Sequence, residues 1–185
     1  RLVSVRDIEQ FLSVKKGEAS DTTARMYFVT LASAFQTAVR WNYLHSNPFR
    51  QVEKPKVPEK LPVYFSKDVF RTLQSVTDDA NLRELFQLAV STGMRLGEIL
   101  NLQWTDIDLT RKVIRVGNKD GFTTKSKKGR NIPMSDQLSE IMQNRKRMAS
   151  SELVFHRNGK ILREEFVSKR FKYFVRKAGL NDNLH

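Results

Sequence analysis

"STGMRLGEIL" occupies residues 91–100 and follows "NLRELFQLAV", an apolar run patterned as a helix. Within five residues the chain then places Gly93, Arg95 and Gly97. A glycine at the end of a helix suits the left-handed residue that closes it, because it has no Cβ to clash. Arg95 is thereby released from the regular helix surface and can be aimed into a cleft. Glu98 follows three residues later, close enough to meet Arg95 on the next helical turn. Taken alone, the pair could equally be an ion pair at a helix start.

Working outward, the elements are short and mixed. "LGEILNL" continues as a brief helix after the break. "KVIRV", "FTTK" and "RNIPM" are β-branched segments separated by "GNKDG" and "SKKG", turn chemistry that predicts a three-stranded antiparallel sheet. Ser135 caps a helix over "DQLSEIMQNRKRM", and "LVFHRNGKI" reads as a short turn-like region. "REEFVSKRFKYFVRKAG" sets Phe166, Phe171, Phe174 and Val175 around a last helix ending at Gly179. Upstream of the break, Ser66 caps "SKDVFRTL".

A proline-rich stretch, "EKPKVPEKLP" at 53–62, holds three of the five prolines among charges and reads as an extended linker. Before it lies a helical domain. Ser4 opens "SVRDIEQFL", and "DTTARMYFVTLASAFQTAVRW" follows with Asp21 or Thr22 as its cap and Asn47-Pro48 as its stop. Trp41 and the phenylalanines of 166–174 are expected in the core. The predicted fold is mainly α with a small antiparallel three-stranded sheet (α+β). Its domains are a helical one at 1–54, a linker at 55–63, and a mixed α/β one at 64–185.

Charge points to a partner. The chain has 33 Lys+Arg against 20 Asp+Glu, a net +13. Residues 121–185 supply +9 of it, from 15 basic and 6 acidic side chains. Such an excess suits nucleic acid, although a solvated basic surface has the same composition. There is no cysteine, which excludes disulfides and thiolate metal sites. No apolar run reaches the ~18 residues of a membrane span, so a cytoplasmic location is expected. Asp106 and Asp108 have two-carboxylate metal spacing but sit where turn and cap residues belong. His45 and His156 have no neighbouring ligands at metal spacing. No metal or cofactor is therefore expected.

"TGMRLGEILNLQWTDIDL", the basic hairpin "TKSKKGRNIP" and the final "LH" together resemble the tyrosine recombinases, or phage-integrase family. "TTARMYFVTLASAFQTAVRWNYLHSNPF" resembles that family's core-binding domain, so the likeness spans nearly the whole chain. It implies that Arg95 is the first catalytic arginine and Glu98 its supporting acid. Lys125, eight residues before Pro133, stands at the hairpin lysine, with Lys127 its nearest rival. His185 matches the first histidine of a His-x-x-Arg box. Lys119, Lys127, Lys128 and Arg130 are expected to contact the DNA backbone or lie solvated.

The family's second arginine and nucleophilic tyrosine lie beyond His185. Tyr27, Tyr43, Tyr64 and Tyr173 all precede it. The expectation is therefore a catalytic domain incomplete at its C-terminus, able to bind duplex DNA but not to cleave it. The resemblance further implies a 3′-phosphotyrosyl intermediate and a homotetramer on paired sites when full length, with the fragment itself monomeric. A non-catalytic DNA-binding relative and a type IB topoisomerase are the competing readings.

Overall fold

A computed structural model describes residues 3–59, 65–124 and 128–184. The chain divides into two compact units, Arg1–Pro62 and Val63–His185.

The first unit pairs α1 (Val5–Glu18) with α2 (Asp21–Arg40). Ser4 caps α1 as its position predicts, and Asp7 returns the bond to the Ser4 N–H in a capping box. The cap of α2 is Ser20, not Asp21 or Thr22. Its hydroxyl accepts from the Thr23 N–H, leaving Asp21 in the first turn, where a negative charge meets the helix dipole. The helix also ends sooner than Asn47-Pro48, because Trp41 closes it and Asn42 turns left-handed at φ 61°. Trp41 is consequently 68% exposed rather than in the core.

Asn47 has a different task. It is buried, accepts from the Phe49 N–H at 3.1 Å and donates to the Ala32 carbonyl at 2.9 Å. That ties the 3₁₀ turn Pro48–Gln51 back onto α2. Phe49 then closes a small core of Ile8, Leu12, Phe28 and Val52.

The second unit carries α3 (Lys67–Val76), α4 (Ala80–Thr92), α5 (Leu96–Leu100), α6 (Asp136–Arg147) and α7 (Glu164–Lys177). Ser66 and Ser135 cap α3 and α6 through their hydroxyls. The sheet is three-stranded and antiparallel as predicted, in the order β1 (Ile107–Asp108), β2 (Val113–Val116), β3 (Arg130–Pro133). Its membership differs from the sequence expectation. Of "FTTK", residues 122–124 are described and form no strand: among the described residues Phe122 pairs with Lys119 across a tight turn at Gly121, and Thr124 is held by the Asn118 side chain. The third strand is instead the two-residue "ID", too short for any alternation to reveal. "HRNGKI" forms a hairpin of β4 (His156–Arg157) and β5 (Lys160–Ile161). Asn158 and Gly159 both take positive φ there, as a type I′ turn requires.

The core of this unit gathers Leu82, Leu85 and Leu88 of α4, Ile114 of β2, Leu138 and Met142 of α6, and Phe174 of α7. Of the phenylalanine stripe, Phe174 is fully buried, while Phe166 and Phe171 pack partly against the core.

Candidate functional site

The break at Gly93 works as its sequence suggests. Gly93 adopts φ 62°, and its N–H closes on the Ala89 carbonyl at 2.9 Å. The chain turns through buried Met94 and reaches Arg95 in an extended conformation, φ −69° and ψ 149°, as the N-cap of α5. An arginine has no acceptor with which to cap a helix. The helix start is therefore satisfied from the other side: Glu98 Oε2 accepts from the Arg95 N–H at 2.9 Å. Gly97 permits the close seating of α5, since a Cβ there would lie 2.9 Å from Glu164 Oε1 on α7.

Glu98 is the electrostatic centre of the site. Its side chain is 2% exposed, and among the described residues four donors converge on it. Beside the Arg95 N–H, Arg95 Nη1 donates to Oε1 at 3.3 Å. Arg130, the first residue of β3, donates Nη1 to Oε1 at 2.9 Å and Nη2 to Oε2 at 2.6 Å. A buried carboxylate is costly unless paired and hydrogen-bonded, and here it is both. The Arg130 bonds are the main cause that lowers the Glu98 pKa to about 2, with the Arg95 N–H next among the stabilising contacts and burial opposing them. Glu98 is thus a fixed anion at neutral pH.

Arg95 itself points outward. Its side chain is 56% exposed, against 36% for Arg130. Among the described residues Arg95 gives its carboxylate partner one long side-chain bond, so most of its five guanidinium N–H groups face away from Glu98.

The β2–β3 connection begins beside this cluster. A polar cleft of about 590 Å³ is lined by Asp106, Arg115, Asn118, Lys119, Arg130 and Asn131. Lys119 forms an ion pair with Asp106, whose carboxylate also caps the 3₁₀ turn Trp104–Asp106 through the Gln103 N–H at 2.8 Å. Asp108 accepts from the Arg111 N–H at 2.9 Å and lies 3.6 Å from Arg115. Both carboxylates thus serve turns and ion pairs. His156 likewise serves its own turn, accepting from the Gly159 N–H at 3.1 Å.

The structure therefore brings Arg95, Glu98 and Arg130 together and sets Lys119 along the neighbouring cleft. Lys128 lies at the far end of the hairpin, where its carbonyl faces the Thr124 hydroxyl at 3.4 Å. Lys125, Lys127 and His185 lie outside the described residues. The sequence sets Arg130 among charges expected to contact the DNA backbone or lie solvated; in the structure it is also bound to Glu98. A signal for this existed. In "RNIP" the apolar Ile132 must face inward, and strand alternation puts Arg130 on that same face.

Comparison with known proteins gives a consistent pattern. Residues 65–185 match the family described as "Phage integrase family". A tyrosine recombinase of Thermosipho africanus is 25% identical over 97% of this chain and 65% of its own length. Tyrosine recombinase XerD of Staphylococcus epidermidis is 28% identical over 92% of the chain and 60% of its own length. The chain thus spans less than two thirds of either relative. Among solved structures, a lambda integrase dimer bound to a COC′ core site superposes with a TM-score of 0.81 at 20% identity, covering 97% of this chain and 52% of that one. A lambda integrase tetramer bound to a Holliday junction gives 0.82 at 21% identity, covering 97% and 54%. At those identities the likeness establishes the fold. Among the described residues, no helix is long and apolar enough to cross a membrane.

Proposed function

The chain belongs to the phage integrase family of tyrosine recombinases, and we propose that it forms the DNA-binding and phosphate-activating portion of a site-specific recombinase acting on duplex DNA in the cytoplasm. The observation that carries this reading is Arg95, which is held at its backbone by a buried carboxylate while its guanidinium stays outside. An arginine fixed in that way can present a planar pair of donors to phosphoryl oxygens as charge builds on them.

In this reading a tyrosine C-terminal to His185 attacks the scissile phosphate. Its O–P bond forms as the bond to the 5′ oxygen breaks, leaving a 3′-phosphotyrosyl link and a 5′-hydroxyl. The phosphodiester energy is kept in that link, so rejoining needs no metal or nucleotide cofactor. Arg95 stabilises the phosphoryl oxygens, Glu98 holds Arg95, and His185 hydrogen-bonds the phosphate. Lys125 gives its proton to the leaving 5′ oxygen. Lys119, Lys127 and Lys128 supply backbone attraction, and the helical unit at 1–54 contacts the same duplex. A full-length protein would assemble as a tetramer on paired sites.

Binding is tested on the 185-residue chain itself. Neutralising ~6 phosphates gives a log–log salt dependence with a slope near −5. A slope near zero on every duplex tried defeats the nucleic-acid reading. The lysine assignment is tested in a full-length recombinase carrying this chain. Lys125→Ala slows cleavage, and a 5′-thio leaving group, which needs no proton, restores it. Rescue of Lys127→Ala but not of Lys125→Ala would move the general acid to Lys127.

A further inference from the structure

We propose that Arg130 is a positioning residue that keeps the Arg95 guanidinium available by occupying Glu98 in its place; this rests on the recombinase reading of the site. Glu98 is a single buried carboxylate between two arginines. Arg130 takes both of its oxygens in a two-point fork at 2.9 and 2.6 Å. Arg95 is left with one side-chain bond at 3.3 Å, together with its backbone N–H. The two guanidiniums compete for the same anion, and a fork-to-carboxylate pair is the strongest arrangement either can make.

Remove Arg130, and Glu98 becomes a buried anion stripped of its main partner. Arg95, three residues away on the same helix start and already bonded to Glu98 at 3.3 Å, is the cation among the described residues placed to replace it. Its guanidinium would fold inward onto the carboxylate, out of reach of a phosphate. Arg130 also begins β3, so it joins the strand leaving the lysine-bearing hairpin to the helix that carries Arg95. In this proposal the fork to Glu98, rather than a bond to the DNA backbone, is the main task of Arg130.

Three variants test this: Arg130→Met, which keeps bulk but removes every donor, Glu98→Gln, and the two combined. In the 185-residue chain, the rate at which phenylglyoxal modifies Arg95, followed by peptide mass spectrometry, falls several-fold in Arg130→Met. It recovers in the combined variant, because a neutral amide holds a guanidinium much more weakly than a carboxylate does. In a full-length recombinase, Arg130→Met lowers single-turnover cleavage ~10-fold or more while duplex affinity and salt slope stay as in the wild type, and adding Glu98→Gln restores part of the rate.

A residue that merely braces the fold shows no such suppression. A phosphate contact instead weakens binding and cuts the salt slope by about one. Either outcome overturns the proposal, as does an Arg95 modification rate unchanged in a folded Arg130→Met chain. If the modification data come out as expected but Arg95→Ala leaves cleavage intact, the positioning geometry is supported and the recombinase reading is what fails.

Discussion

Arg95→Ala in a full-length recombinase carrying this chain lowers the cleavage rate by ~10²–10³, the usual cost of removing one oriented transition-state donor. Duplex affinity stays nearly unchanged. The two effects separate because of how Arg95 is held. In the proposed complex many phosphates would hold the duplex, and one contact in several contributes little to that total. In the proposed mechanism the transition state differs, since charge builds on two oxygens of a single phosphate and Arg95 would meet them with its exposed guanidinium. Its backbone is fixed by Gly93 at φ 62° behind it and by the Glu98 carboxylate 2.9 Å from its N–H. A loss confined to the chemical step is the signature of an interaction made only in the transition state. Equal losses in binding and in rate would make Arg95 an ordinary backbone contact.

The second large effect concerns stability. Glu98→Gln destabilises the second unit by about 3 kcal/mol at pH 7, and the penalty shrinks as the pH falls. The sign follows from linkage. The Glu98 pKa is lowered to about 2 in the fold from an ordinary 4.5, so the native state resists protonation. The stabilisation is complete above the unfolded value and disappears as pH drops through about 4.5 toward 2. A difference of that size corresponds to about 3 kcal/mol for a group this deeply buried. Urea unfolding of wild type and Glu98→Gln at pH 7 and pH 3 measures it, with Trp104 reporting on the second unit. A gap that does not narrow at pH 3 assigns the loss to packing rather than to the charge. Asp78, Asp136 and Asp182 are also lowered, by Lys177, Lys112 and Arg176 respectively. These pairs lie at the surface, so salt should weaken their share of the acid sensitivity.

Much of this architecture was legible because caps and glycines act locally. Ser4, Ser66 and Ser135 each accept from a backbone N–H three residues on, and Gly93 and Gly179 each take the left-handed conformation. Those choices depend on a few neighbouring residues and can be read from them. The failures came where local signals competed. Ser20, Asp21 and Thr22 are all good caps, and only the observed bonding separates them. Asn47-Pro48 does mark a helical turn, but the start of a 3₁₀ turn rather than the end of α2. "FTTK" has strand composition, yet Asn118 and the Gly121 turn claim the backbone of its described residues 122–124.

The site divides in the same way. Arg95 and Glu98 were visible because they adjoin in sequence. The Arg130–Glu98 pair spans 32 residues, and only the β2–β3 register, with Arg130 opposite Val116, carries that arginine to α5. Long-range pairing of that kind leaves only the faint trace of strand alternation.

In the proposed reading the chain serves strand exchange through a covalent protein–DNA bond. That bond is detected on a denaturing gel of a labelled, nicked suicide duplex incubated with a full-length protein carrying these 185 residues, with the attachment site mapped by mass spectrometry. A shifted band is expected in which a tyrosine C-terminal to His185 is joined to a 3′ phosphate, strongly reduced by Arg95→Ala. An adduct mapped to Tyr27, Tyr43, Tyr64 or Tyr173, or cleavage that never passes through a protein-linked strand, would contradict it.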